Sequence, residues 1–190
     1  MNREIETIYC GADDSNHAGD NRGEIIVVTF STLREDGIVK HFPNRRDNEK
    51  TINWLENPCR DYRFTILPSE KYRNKGNNVL VLSPYIVCHY LQQKRLKPKK
   101  LNLYVDGWMN ERWRRRIRDY IVHFNGVEQV VVDNFTKKGN KKHFQKRHCC
   151  PEVVYRADNI AHILLGSITR DIFSNEKLVP LDSLLTLPSI

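Results

Sequence analysis

Three observations make this an α/β chain built on a mixed sheet with helices against its faces. The N-terminal part carries apolar, β-branched runs joined by short turn signals, the mark of successive antiparallel strands. Farther along, helical patterns alternate with strand runs, which adds parallel strands to the same sheet. At 190 residues, with 39% hydrophobic and 28% charged side chains, the chain is long enough to bury one core and too short for two ordinary ones. One domain over residues 1–190 is therefore expected.

The elements follow in order. IETIYCGADD alternates as a strand and stops at Asp13 and Asp14, before the polar turn SNHAGDNRG. GEIIVVTFSTL is a second strand, apolar throughout and so buried on both faces. Glu35, Asp36 and Gly37 form a tight turn into IVKHF, which is expected as the third antiparallel strand. Ile52, Trp54 and Leu55 mark a short helix from Asn48 to Glu56, ended by Pro58, and RFTIL is a further short strand. Ser83 and Pro84 look like the cap and first turn of a helix through Leu91; a start near Asn78 would instead put Pro84 at a kink. After the basic linker KRLKPKK, LNLYVD is a strand, and Asn110 caps an arginine-rich helix ending near Asn125 and Gly126. EQVVVDNF is a strand, TKKGNKKHFQKRH a basic loop or ragged helix, and PEVVYR extended. Asp158 then opens a last helix through Ile160, Ile163, Leu164 and Ser167, and KLVPLDSLLTLPSI reads as a docked tail.

The formal net charge of +8 is concentrated in one stretch. Residues 94–148 hold 16 Lys and Arg against 5 Asp and Glu, whereas the rest holds 15 against 18. Such an asymmetry suits a polyanion, because phosphates bound by Lys and Arg release their counterions whatever the base sequence. Arg112, Arg115, Arg116 and Arg118 would cover much of one helix while Trp113, Ile117, Tyr120 and Ile121 turn inward. Solvation of that helix, or an anionic membrane surface, is the plainer reading of the same charge. Lys137, Lys138, Lys141 and Lys142 extend the basic surface. No apolar run reaches transmembrane length and MNREIETIY has no apolar signal core, so a cytoplasmic protein is expected, with no membrane partner. Five cysteines form no spaced framework and are expected as free thiols. His143, His148, Cys149 and Cys150 are zinc-type side chains, but their spacing fits no standard finger and adjacent cysteines diverge along a strand.

Asp13 and Asp14, Asp106 and Asp158 stand where apolar segments end or begin, so three separate segments deliver carboxylates toward exposed backbone. Hard oxygen donors of this kind hold Mg2+ or Mn2+, and two such ions about 4 Å apart clamp both oxygens of a phosphodiester displacement. Asp14 points away from Asp13 if the strand runs on. Each aspartate taken singly is more often a turn or helix cap than a catalytic group. Asp133 is a fifth candidate, though turn capping suits it better. His17, close after Asp14, and His162, one helical turn after Asp158, are candidate proton carriers; solvated surface histidines are the commoner case. Tyr104, Trp108 and Trp113 flank Asp106 as base-stacking candidates, with core packing the plainer role for Trp113.

GADDSNHAG, GEIIVVTFS, LYVDG and YRADNIAHILLGSITR, in that order, resemble the ribonuclease-H-like superfamily. The nearer likeness is to a branch that opens on a D-E-S-G-like strand end and closes on an A-D-x-I-A helix start. Ala157, Asp158, Asn159, Ile160 and Ala161 match the close, while Asp13, Asp14 and Ser15 match the opening with Asp for Glu and Asn16 for Gly. Ribonuclease HII is a more distant likeness: DDSNHAG answers its D-E-A-G-R-G only loosely and lacks the R-G that reads an RNA–DNA junction. The resemblance implies a ribonuclease-H-like mixed sheet, three antiparallel strands then parallel ones, that gathers Asp13, Asp106 and Asp158 around divalent metal, with Asp14 a further ligand position. It also implies phosphodiester hydrolysis in RNA or an RNA/DNA hybrid. The alternatives are a non-catalytic nucleic-acid-binding module of the same fold, since such folds host both, and a protein-binding adaptor using the arginine-rich helix.

Overall fold

A computed structural model describes residues 3–15, 23–43, 47–68, 78–107, 109–135, 147–167 and 175–185. In chain order these form β1 (Arg3–Ser15), β2 (Glu24–Ser31), a 3-10 turn (Arg34–Gly37), β3 (Val39–Pro43), α1 (Asn48–Leu55), β4 (Arg60–Leu67), α2 (Asn78–Gln93), β5 (Leu96–Asp106), α3 (Glu111–Asn125), β6 (Gln129–Phe135), β7 (Arg147–Pro151), α4 (Glu152–Ser167), a second 3-10 turn (Asn175–Lys177) and α5 (Leu181–Leu185). Five strands make one mixed sheet in the order β4-β2-β1-β5-β6. β4, β2 and β1 are mutually antiparallel, and β5 and β6 run parallel to β1. This is the mixed sheet that the sequence predicts, three antiparallel strands and then parallel ones, with β1 at its centre.

Side-chain alternation along β1 divides the interior into two layers. Ile8, Cys10 and Ala12 join Ile26, Val28 and Phe30 of β2 and Leu101, Leu103 and Val105 of β5, and this face packs against α2 and α3. Ile25 and Val27 take the other face, with Tyr62 and Phe64 of β4 and Ala157, Ile160, Ala161 and Leu164 of α4. β2 is thus buried on both sides, as its unbroken apolar run predicts; each such side chain removed from water contributes about 1.5–3 kcal/mol. α3 has the expected ends: the Asn110 side chain accepts from Trp113 N, and Gly126 closes it at φ 62° in the left-handed region.

Three elements, IVKHF, KRLKPKK and PEVVYR, depart from the sequence expectation, while RFTIL is a strand as expected and the helix holding Pro84 takes the earlier of its two expected starts. IVKHF is not the third strand of the sheet. Asp36, fully buried, accepts from Ser31 Oγ at 2.6 Å and from Arg60 Nε at 2.7 Å, and Gly37 lies against the Tyr9 ring, where a Cβ would come within 2.1 Å. That turn redirects the chain, and β3 pairs antiparallel with β7 as a separate two-stranded ribbon. RFTIL, as part of β4, takes the place beside β2, where its Tyr62, Phe64 and Leu67 are buried. KRLKPKK is no linker: Leu96 onward is already β5, aligned with β1 from Arg3. α2 begins at Asn78 and holds Pro84 in its buried interior, where packing outweighs the lost backbone donor. PEVVYR is helical, because α4 starts at Glu152 directly after β7.

β4 is an edge strand with a partial cover. Phe64 forms a parallel bridge with Leu178, and Val179 N donates to Phe64 O at 2.8 Å. Among the described residues no helix is long and apolar enough to cross a membrane.

Candidate active site

The carboxylates gather at the end of the sheet where β1 and β5 stop. The parallel register pairs Ala12 with Val105, so Asp13 and Asp106 lie level on neighbouring strands. Ala12 and Val105 belong to the core under α2 and α3. By alternation Asp13 and Asp106 face the opposite layer, where α4 lies.

α4 is brought to them by a close backbone approach. A Cβ on Gly11 would stand 2.2 Å from Val153 C and 2.4 Å from Val154 N, so only glycine lets the first turn of the helix rest on β1. Thr29 Oγ1 donates to Val153 O at 2.7 Å, and Ser15 Oγ donates to Ala161 O at 3.0 Å. These two ties fix the helix on either side of Asp158. On its outer side Arg156, 7% exposed, donates to Glu152 Oε1 and Thr51 Oγ1, and Asn159 Oδ1 accepts from Asp47 N, which locks α4 to α1. Asp158 therefore sits in the middle of α4. The sequence expectation of a helix start there is corrected, and with it the support expected from the helix dipole, which fades beyond the first turn.

Electrostatics report the convergence. Burial pushes the Asp13 carboxyl well above the usual carboxylate range, and Asp106, Asp158 and Asp14 push it further in that order. Its Oδ1 accepts from Asp14 N at 2.8 Å, the opposing influence. Cys150 of β7 feels the same field: its thiol is raised to about 12 by burial first, then by Asp106, Asp13 and Asp158. Among the described residues, no three His, Cys, Asp or Glu side chains stand as a group able to hold a metal ion.

Asp14 takes the other face of the strand. It is pushed up to about 9, by burial first and then by a hydrogen bond and charge from Glu24, with Asp106 adding to it. Glu24 Oε2 in turn accepts from Asn78 Nδ2 at 2.6 Å, at the start of α2. Glu24 escaped the sequence reading. Its partnership with Asp14 follows from the β1–β2 register, in which Asp14 stands opposite Ile26 and shares a face with Glu24.

No protein-family model matches the sequence, and no curated protein does. Several solved structures are similar, two ribonucleases among them. Ribonuclease H2 from Pyrococcus horikoshii OT3 is 17% identical, with 90% of this chain and 76% of that one covered and a TM-score of 0.48. Ribonuclease HII in the PCNA:RNase HII complex from Archaeoglobus fulgidus is 14% identical, with 86% and 75% covered and a TM-score of 0.48.

The remaining candidates divide plainly. Arg112, Arg115 and Arg116 are exposed on α3 and form no ion pair among the described residues, whereas Arg118 pairs with Asp119 at 3.2 Å. Arg116 stands 5.9 Å from the half-buried Trp113 ring. Asp133 accepts from Arg114 NH2 at 3.2 Å and from Asn134 N at 2.8 Å, a turn-capping role. Tyr104 packs edge-on to Phe135 at 5.7 Å. His162 is exposed on α4. His17, Trp108, Lys137, Lys138, Lys141, Lys142 and His143 lie outside the described residues, as does the His148 side chain. Cys149 is exposed and Cys150 buried, the divergence expected of adjacent strand residues.

Proposed function

We propose that this chain is a divalent-metal-dependent nuclease, acting in the cytoplasm and hydrolysing phosphodiester bonds in RNA or an RNA/DNA hybrid. The observation that carries the reading is the field that Asp106 and Asp158 exert on the buried Asp13 at one end of the sheet, two of the three from adjacent strands and one from the helix across them. The donor set fits Mg2+ or Mn2+: it is all hard oxygen, and a cation there would offset the negative charge that Asp106 and Asp158 place on the buried Asp13. Asp13, Asp106 and Asp158 would hold the ions once drawn closer together than they stand in the metal-free chain, with Asp14 a further ligand from the opposite face. Bound there, the ions supply charge neutralisation for an in-line displacement at phosphorus.

The chain's own groups do the rest. Arg115 and Arg116, with Lys137, Lys138, Lys141 and Lys142, hold the nucleic-acid phosphates, and α3 begins only a few residues beyond Asp106. His17 carries a proton between the attacking water and the leaving ester oxygen. The test is incubation of labelled RNA, DNA and hybrid with Mn2+, beside Asp13→Asn and Asp158→Asn. Cleavage by the native chain that both variants lose supports the reading, and cleavage no greater than that of the variants sinks it.

A non-catalytic nucleic-acid-binding module of the same fold is the second reading. It is favoured by the three exposed arginines of α3, which form no ion pair among the described residues and would bind phosphate with no help from metal. Calorimetric titration with Mn2+ separates the two, since only the nuclease reading requires heat of binding that Asp13→Asn abolishes.

A further inference from the structure

The ribbon of β3 and β7 sets a thiol against an imidazole. His41 and Cys149 are direct partners in its antiparallel register, with Cys149 Sγ 3.0 Å from His41 Nδ1. Both side chains are exposed. The inward side of the ribbon is anchored: Phe42 stacks on Tyr155 with ring centroids 4.2 Å apart, and Cys150 is buried beside Val154 and Tyr155. Alternation along both strands therefore holds His41 and Cys149 outward together on a packed support.

We propose that Cys149 and His41 form a nucleophilic thiol–imidazole pair, a modification site for soft electrophiles. The thiol donates to Nδ1 when that nitrogen carries no proton, and transfer leaves a thiolate beside an imidazolium, the form in which a cysteine attacks. With iodoacetamide an S–C bond forms, the C–I bond breaks and iodide leaves, while the proton stays on His41 until water takes it. With hydrogen peroxide an S–O bond forms and the O–O bond breaks. Sulfur gives up two electrons to become a sulfenic acid, and the departing hydroxide takes the His41 proton as water.

The other thiols serve as internal controls. Cys10, Cys88 and Cys150 are buried, and burial raises the Cys88 and Cys150 thiols to about 12, so they stay protonated and out of reach. Cys59 is exposed but has no imidazole against it among the described residues.

The experiment treats the full reduced chain with limiting iodoacetamide and follows each cysteine by peptide mass spectrometry. Cys149 is expected to label about tenfold faster than Cys59, with the three buried thiols unlabelled. In His41→Gln the amide oxygen accepts a hydrogen bond but holds no proton, and Cys149 should slow to the Cys59 rate; His41→Ala should do the same. Dimedone capture after peroxide is expected at Cys149. Equal labelling of Cys149 and Cys59 in the native chain overturns the proposal, as does an undiminished Cys149 rate in His41→Gln. Labelling of Cys150 in step with Cys149 also overturns it, because ribbon opening would then set the rate.

Discussion

Replacing Asp13 by Asn probes the repulsion stored where β1 and β5 end. Asp13 is 6% exposed, and its carboxyl is held above the usual range by burial and by three other aspartates. Its level neighbour Asp106 stands on a strand about 4.8 Å away. Two full charges about 5–6 Å apart repel by about 3 kcal/mol at an effective permittivity near 20. The metal-free native chain avoids part of this by keeping a proton that the unfolded chain has lost. Between the ordinary carboxylate pKa and the raised native one, the native state thus binds more protons than the unfolded state, and stability falls as pH rises. In EDTA at about pH 8, Asp13→Asn is therefore expected to stabilise the chain by about 1–3 kcal/mol in urea denaturation. The gain should fade as pH falls through about 4 and be gone below about pH 3, where both states are protonated. Excess Mn2+ should reverse the order, raising the native chain and leaving the variant nearly unchanged. A variant less stable than the native chain in EDTA at about pH 8, or equal stabilisation of both by Mn2+, refutes this reasoning.

Gly11→Ala drives a Cβ into the Val153 backbone 2.2 Å away and should cost about 3 kcal/mol or more by urea denaturation, with weaker Mn2+ binding because α4 carries Asp158. Asp36→Asn leaves Arg60, whose side chain is 16% exposed, without its charge partner, and a thermal melt should register a loss of about 3–5 kcal/mol. Arg115→Ala combined with Arg116→Ala should weaken nucleic-acid binding in fluorescence anisotropy and flatten the dependence of log affinity on log salt by about 2. An unchanged slope would place the phosphate path elsewhere.

What could be read from the sequence was whatever short-range pattern decides. Asp13 and Asp106 end apolar runs, and the strands carrying them prove adjacent and in step. The ends of α3 were legible from Asn110 and Gly126, because caps act within one turn. The start of α4 was hidden, since Val153, Val154 and Tyr155 prefer extended backbone, and the contacts that hold them as helix, the close approach to Gly11 and the Thr29 bond to Val153 O, come from distant strands. The β3–β7 ribbon joins segments from the two ends of the chain, which no local pattern announces. Glu24 was invisible for a similar reason: its proximity to Asp14 depends on which residues the hairpin aligns.

The bridge from Leu178 to Phe64 and the Val179 amide on Phe64 O give the outermost strand a cap of backbone that is not its own. Uncapped strands offer hydrogen-bonding templates to other molecules. A protease cut just ahead of Leu178 would remove that insulation, and the trimmed protein should form multimers in proportion to its concentration while the carboxylates at the far side of β1 stay in register.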